Sequence, residues 1–235
     1  MKKIELLFPK LCNIYGESYN VEYLRRCNPE IEVVATSHKE TPAFVEEDDI
    51  SMIYLGCTTE RKQEQIIEML RPHRDRISEL IEKGTIFLVT GNGVEIFGKH
   101  IEDGDRKIEG LGLFDFHSVR YMKRERHNSQ FIGTYDDLTV LGHRSQFSFA
   151  YGDFQESFIT IEKGIGMNPD TKLEGIHRGN FFGTYSLGPF LILNPLFAKK
   201  LLRIMGLGDS LCFEKEITEA YEYRLAELRR TIRCV

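Results

Sequence analysis

Residues 85–98 read TIFLVTGNGVEIFG, and this stretch has the form on which chemistry is often built. Ile86–Thr90 is a short apolar, β-rich run suited to a buried parallel strand, and Gly91-Asn92-Gly93 turns the chain sharply into a helical segment. Such a strand–elbow–helix unit sits at the carboxyl edge of an α/β sheet. There a nucleophile can be presented and the amides that follow can hold an oxyanion. Here the apex offers only glycine and asparagine.

Four other features bear on chemistry. Cys57 follows an apolar strand and would face the same crevice as the elbow, yet a reactive thiol needs surroundings that stabilise the thiolate and a positioned base. The sequence supplies neither, so a structural thiol is the default. His143 and His177 are speculative bases for it, and His177 with Arg178 lies in a polar, glycine-rich connection that reads as solvent-exposed. Gly91-x-Gly93 could offer amides to an anion, but two glycines in a turn are a weak phosphate signal and no Walker lysine follows. Glu95 could bind a substrate ammonium or simply stabilise the amino end of its helix. The ligand-facing candidates are therefore Gly56, Cys57, Asn92, Gly93 and Glu95.

The elements that must position these residues alternate in the first half. Strands are expected at residues 4–8, 31–35, 50–55 and 86–90. A helix runs from Val21 to about Asn28-Pro29, and a second apolar pattern starts at Gln65 and is kinked or divided at Pro72. This predicts a parallel sheet covered on both faces, with the loops after Leu55 and Thr90 meeting if their strands are neighbours. From residue 110 the rhythm changes to short β-rich runs at 118–122, 130–135, 138–141, 147–150 and 157–161, which suit antiparallel strands. Residues 181–185 add another strand, Asn194-Pro195 opens a helix, and residues 213–230 form an amphipathic terminal helix. No linker or repeat divides the chain, so residues 1–235 read as one domain.

A formal net charge of -5 argues against a nucleic-acid or anionic-membrane binder, since Lys123-Arg124-Glu125-Arg126 is short and interrupted. No apolar run approaches the roughly 20 residues a spanning helix needs, and Met1-Lys2-Lys3 leads into a strand rather than a signal-peptide core. The five scattered cysteines, Cys12, Cys27, Cys57, Cys212 and Cys234, read as free thiols in a reducing compartment, pointing to the cytoplasm. The isolated histidines lack metal-site spacing, and neither a metal nor a cofactor is implied.

Several blocks, in order, resemble the class I glutamine amidotransferases of the cobyric acid synthase type, and within them the amidotransferase subunits of lipid II isoglutaminyl synthases. LFPKLCNIYGESYNVEYLRR at residues 7–26 is similar to that family's Tyr-Pro…Asn-x-Tyr-Gly…Asn pattern. YLGCTTERKQ at 54–63 stands where the family has Gly-Gly-Gly-Gln-Asp-Arg-x-Gln. There Gly56, Arg61 and Gln63 match, while Cys57 and Thr58 replace glycines. IEGLGLFD at 108–115 matches, as do Gly164-Ile165-Gly166-Met167-Asn168, Leu173-Glu174-Gly175 and GTYSLGPFLILNPLFAKKLL at 183–202. The resemblance implies a flavodoxin-like fold, with a mostly parallel central sheet, helices on both faces and additional antiparallel strands in the second half.

The departures fall at the chemistry. Active relatives carry cysteine at the elbow, where this chain has Gly91, and histidine in a Gly-Thr-Tyr-Leu-His-Gly-Pro run, where GTYSLGP places Leu187. GHRSQFSFAYG at 142–152 gives no clear counterpart to the family's glutamine-binding arginine. Hydrolysis of glutamine in this class needs a thiolate, a proton-moving histidine and an oxyanion site. The resemblance therefore implies an inactive glutaminase centre in a binding, scaffolding or regulatory subunit. Its expected partner is a Mur-ligase-like or other ATP-dependent synthetase subunit, with a small-molecule ligand in the old pocket as a further possibility. The competing reading is an active amidotransferase, or another amide or acyl-transfer enzyme, with its nucleophile relocated to Cys57.

Overall fold

Strands β1 (Lys2–Leu7), β2 (Ile31–Thr36), β3 (Ile50–Leu55) and β4 (Ile86–Thr90) pair in parallel in the order β4-β3-β1-β2, as their apolar runs require. The computed structural model describes residues 1–232, so Cys234 lies outside the described residues. Alternate side chains of the strands serve two cores. On one face Ile53, Leu55, Phe87 and Val89 pack with Ile66, Leu70, Ile77 and Leu80 of α3 (Glu60–Leu70) and α4 (Arg74–Glu82). On the other, Met52, Tyr54, Ile86 and Leu88 pack with Val21 and Leu24 of α1 (Tyr19–Cys27) and with two later helices. Burial on both faces explains why β4 reads IFLVT with every residue buried rather than alternating. The short α2 (Ala43–Glu46) lies between β2 and β3. A single 3-10 turn at Arg71–His73 holds Pro72 and divides α3 from α4, the two-helix arrangement the proline predicts.

The segment after the elbow differs from a regular α-helix. Gly91–Phe97 forms a fully buried 3-10 segment, whose tighter winding suits a short piece wedged between the sheet and its neighbours. It leads into a hairpin not anticipated from the sequence, β5 (His100–Asp103) and β6 (Arg106–Glu109), whose charged, solvent-facing residues lack a β-rich signature. With β7 (Phe116–Arg120) and β10 (Ser148–Gly152) these form a four-stranded sheet ordered β10-β7-β5-β6.

A third sheet contains β8 (His127–Tyr135) and β9 (Leu138–Gln146), joined by a tight turn with Asp136 in the left-handed region. It also contains β11 (Ile159–Lys163) and the two-residue β12 (Leu173–Glu174). The chain then returns to the central sheet, with β13 (Ile176–Arg178) antiparallel to β14 (Phe181–Thr184) and β14 parallel to β4. Helices α5 (Phe190–Leu193) and α6 (Pro195–Ile204) cover the α1 face through Phe190, Phe197 and Leu201. The last helix, α7 (Glu214–Thr231), lies against the third sheet through Tyr221 and Leu228. Among the described residues no helix is long and apolar enough to cross a membrane.

Candidate functional site

Three neighbouring parallel strands, β3, β4 and β14, end side by side, with Leu55 opposite Val89 and Thr184 opposite Thr90. Their loops converge as the sequence predicts for the first two. Gly91 takes φ +62 at the apex, a left-handed conformation that favours glycine. Its amide donates to the Ser186 carbonyl at 3.2 Å, and the Leu187 amide donates to the His143 carbonyl at 2.9 Å. Asn92 acts as a clamp between loops. Its Oδ1 accepts from the Thr58 amide at 3.0 Å, and its Nδ2 donates to the Thr58 carbonyl at 2.8 Å. The Cys57 thiol donates to the same Oδ1 at 3.3 Å.

Asn20, from the matched amino-terminal block, fixes the third loop. It donates to the Gly188 carbonyl at 3.1 Å and the Tyr54 hydroxyl at 2.9 Å, and accepts from the Leu191 amide at 2.8 Å. The loop carrying Leu187 is thereby tied to the start of α1.

The space beside Gly91 is occupied. A Cβ built there would stand 2.6 Å from Cys57 Cβ, 2.9 Å from Cys57 Sγ and 2.8 Å from Leu187 Cδ2, closer than carbon atoms tolerate. Cys57 and Leu187 are respectively 6% and 4% exposed. Burial, followed by the nearby Glu17 carboxyl, pushes the Cys57 thiol up to about 12, so little thiolate forms at neutral pH.

Neither suggested base reaches Cys57. His143 serves the loop through its main chain, and burial with Arg224 nearby lowers its pKa. The His177 ring is held elsewhere: Nδ1 donates to the Phe181 carbonyl at 3.1 Å, Nε2 bonds the Tyr135 hydroxyl at 3.2 Å, and the ring stacks on Phe182. Among the described residues no three His, Cys, Asp or Glu side chains converge to hold a metal ion.

What stays open is a cavity of about 130 Å³ whose walls include Cys57, Asn92, Arg126, Ser148, Tyr185 and Leu187. That is small beside the roughly 300–1,000 Å³ of ordinary ligand pockets. Of the sequence-derived candidates, Cys57, Gly91, Asn92 and Leu187 line it. Gly56, Gly93 and Glu95 do not. Gly56 is required by close packing, because a Cβ there would meet the Cys12 carbonyl oxygen at 2.5 Å.

Glu95 is buried beneath the apex, where the Tyr185 hydroxyl and Gln63 Nε2 each donate to it at 2.9 Å and the Ser148 hydroxyl donates as well. Burial outweighs these three donors and raises its pKa. Gln63 also donates to the Asn92 carbonyl at 2.6 Å and accepts from Arg120 at 2.8 Å, and Arg120 reaches Glu64 and Asp103 at 3.0 and 3.1 Å.

Ser148, Tyr185 and Arg120 were not singled out in the sequence, and nothing local marks them: Ser148 and Tyr185 reach Glu95 from β10 and the loop after β14, while Arg120, opposite Ser148 on β7, joins the network through Gln63. Arg144, in the segment without a clear glutamine-binding arginine, is fully buried. It lies over the Tyr185 ring and donates to the carbonyls of Ile165 and Gly166 rather than into the cavity.

This fold and elbow define a glutamine amidotransferase architecture, and the chain belongs to the CobB/CobQ-like glutamine amidotransferase domain family, whose model matches residues 3–194. Within it, the chain is 29% identical to lipid II isoglutaminyl synthase (glutamine-hydrolyzing) subunit GatD of Staphylococcus aureus (strain N315). That match spans 223 residues, 92% of this chain and 89% of that protein. It is 24% identical to GatD of Streptococcus pneumoniae (strain ATCC BAA-255 / R6) over 214 residues, 83% of this chain and 77% of that one.

Among solved structures, PurLQS from Thermotoga maritima superposes with a TM-score of 0.56 at 12% identity, covering 95% of this chain and 99% of that one. A glutamine amidotransferase crystal structure gives 0.57 at 14%, covering 86% and 98%. At those identities the structures show the shared flavodoxin-like class I fold alone.

Proposed function

We propose that this chain is a member of its family without glutaminase activity, serving as a binding, scaffolding or regulatory subunit of an ATP-dependent synthetase, Mur-ligase-like or related. The observation that carries the reading is the closed space beside Gly91. Covalent hydrolysis needs a thiolate at the elbow and a base within hydrogen-bond reach. Here glycine stands at the apex, Cys57 and Leu187 fill the volume a side chain would use, and no imidazole lines the cavity. The partner class follows from the GatD relatives, named as subunits of a synthase. Placement in the cytoplasm rests on the scattered thiols, four of which are free.

A relocated nucleophile at Cys57 is the rival, and its lack of a base and its raised pKa count against it. Treatment with a glutamine-analogue electrophile, with and without the synthetase subunit, separates the two. We expect slow modification no faster at Cys57 than at the other thiols. Selective labelling of Cys57, abolished in Cys57→Ser, would establish relocated chemistry instead. Binding needs no activated nucleophile, and the 130 Å³ cavity, with Asn92, Arg126 and Ser148 among its walls, suits a small ligand; saturable thermal stabilisation without turnover is its readout.

A further inference from the structure

Cys27 is the last residue of α1, and Cys212 stands two residues before α7. They are 185 positions apart, yet the Cys212 amide donates to Cys27 Sγ at 3.2 Å and the Cys212 thiol donates to the Arg26 carbonyl at 2.9 Å. Each sulfur thus lies on the backbone of the other's segment. The Tyr23 hydroxyl, donating to the Cys212 carbonyl at 3.1 Å, holds the loop in place. Cys12 and Cys57 are buried, whereas Cys27 and Cys212 are both partly exposed, so this is the described thiol pair an external reagent can reach.

We propose that Cys27 and Cys212 form a reversible disulfide that clasps the loop before α7 to the end of α1 when the protein meets a low-molecular-weight disulfide such as oxidised glutathione. In the first step the Cys212 thiolate attacks the glutathione disulfide. It forms a mixed disulfide and expels one glutathione thiol. The Cys27 thiolate then attacks the Cys212 sulfur and expels the second glutathione. The protein dithiol has been oxidised by two electrons, one glutathione disulfide has been reduced to two thiols, and the two protein thiol protons balance the two glutathiones released.

The clasp has a structural consequence because α7 is lightly held. Of its 18 residues only Tyr221 and Leu228 are buried, and residues beyond 194 lie outside the family match. At its other end, α1 holds the Leu187 loop through Asn20, so a covalent bond at Cys27 joins α7 to the helix that fixes the elbow.

The full chain is incubated with oxidised glutathione, alkylated, digested without reductant and mapped by mass spectrometry. We expect a single cross-linked pair containing Cys27 and Cys212. It should disappear with reductant and in Cys27→Ser and Cys212→Ser, and persist in Cys234→Ser. The melting temperature should rise by roughly 5–15 °C, the scale set by closing so long a loop, and fall back on reduction. Glutathione left as a stable adduct on either cysteine, a bridge to Cys234, or no cross-linked peptide would overturn the proposal.

Discussion

At the apex of the elbow, Gly91 meets Cys57 and Leu187 with no carboxylate or imidazole between them, whereas one turn below, Glu95 gathers the side chains of Gln63, Ser148 and Tyr185. The upper region is lined by a buried thiol and an aliphatic side chain; the lower one is densely polar. The contrast teaches that converging titratable groups do not define an active site. The groups beneath the elbow bond to one another, and the place a side chain at Gly91 would take is filled by Cys57 and Leu187. Glu95 therefore acts as a buried strut between the second sheet, α3 and the loop after β14, rather than as a substrate anchor.

The largest effect that would break this contrast is at the apex. Gly91→Cys should cost roughly 2–5 kcal/mol in urea unfolding, combining a left-handed backbone with overpacking against Cys57 and Leu187. Adding Cys57→Gly should recover the share of the packing cost set by Cys57 and leave the Leu187 contact and the backbone part. If Gly91→Cys alone is neutral, the space is open and the reading of the apex fails.

In the lower layer, Glu95→Ala should cost roughly 2–3 kcal/mol by stranding three buried donors. Glu95→Gln probes the charge alone. Burial raises the Glu95 pKa above the ordinary 4.5, so its contribution to stability is full below that value and is lost as pH rises through the folded-state value. Glutamine does not titrate, and the stability of this variant should fall less steeply above pH 4.5 than that of the unmodified chain. An unchanged slope would mean Glu95 is not held protonated. Glu5, Glu17 and Glu174, whose pKa values burial also raises, should keep a residual slope in both proteins.

Asn92→Ala removes the clamp on Thr58 and should cost roughly 1–2 kcal/mol, with faster amide exchange in the loop after β3. The smallest effect is kinetic. With its thiol pushed up to about 12, Cys57 should be alkylated at a rate still climbing well above pH 9, without the neutral plateau of an activated cysteine.

Much of this arrangement is legible in the residues. The apolar run of β4 before Thr90 announces a doubly covered parallel strand, and the glycine after it marks the turn. Because β3 and β4 are neighbours, the loops holding Cys57 and Asn92 had to meet. The assignment of Gly91 and Leu187 to the family's cysteine and histidine positions rests on motif position alone.

Tertiary contacts were not legible. Glu95 is close in sequence to the apex, but its partners come from α3, β10 and the loop after β14, so neither its burial nor its service as a strut has a local signature. The β5–β6 hairpin is polar and short, carrying neither alternation nor aromatic residues to reveal it. Whether Cys57 faced open solvent or filled the missing side chain's volume also depended on a contact from β14's loop, more than a hundred residues away.

The central claim is that the glutaminase centre is closed. Ammonia release from glutamine by the purified chain, assayed alone and with its synthetase subunit, tests it most directly. No release above that of the synthetase subunit alone is expected in either condition. Glutamine-dependent release that requires this chain and is abolished by one substitution, such as Cys57→Ser, would contradict it.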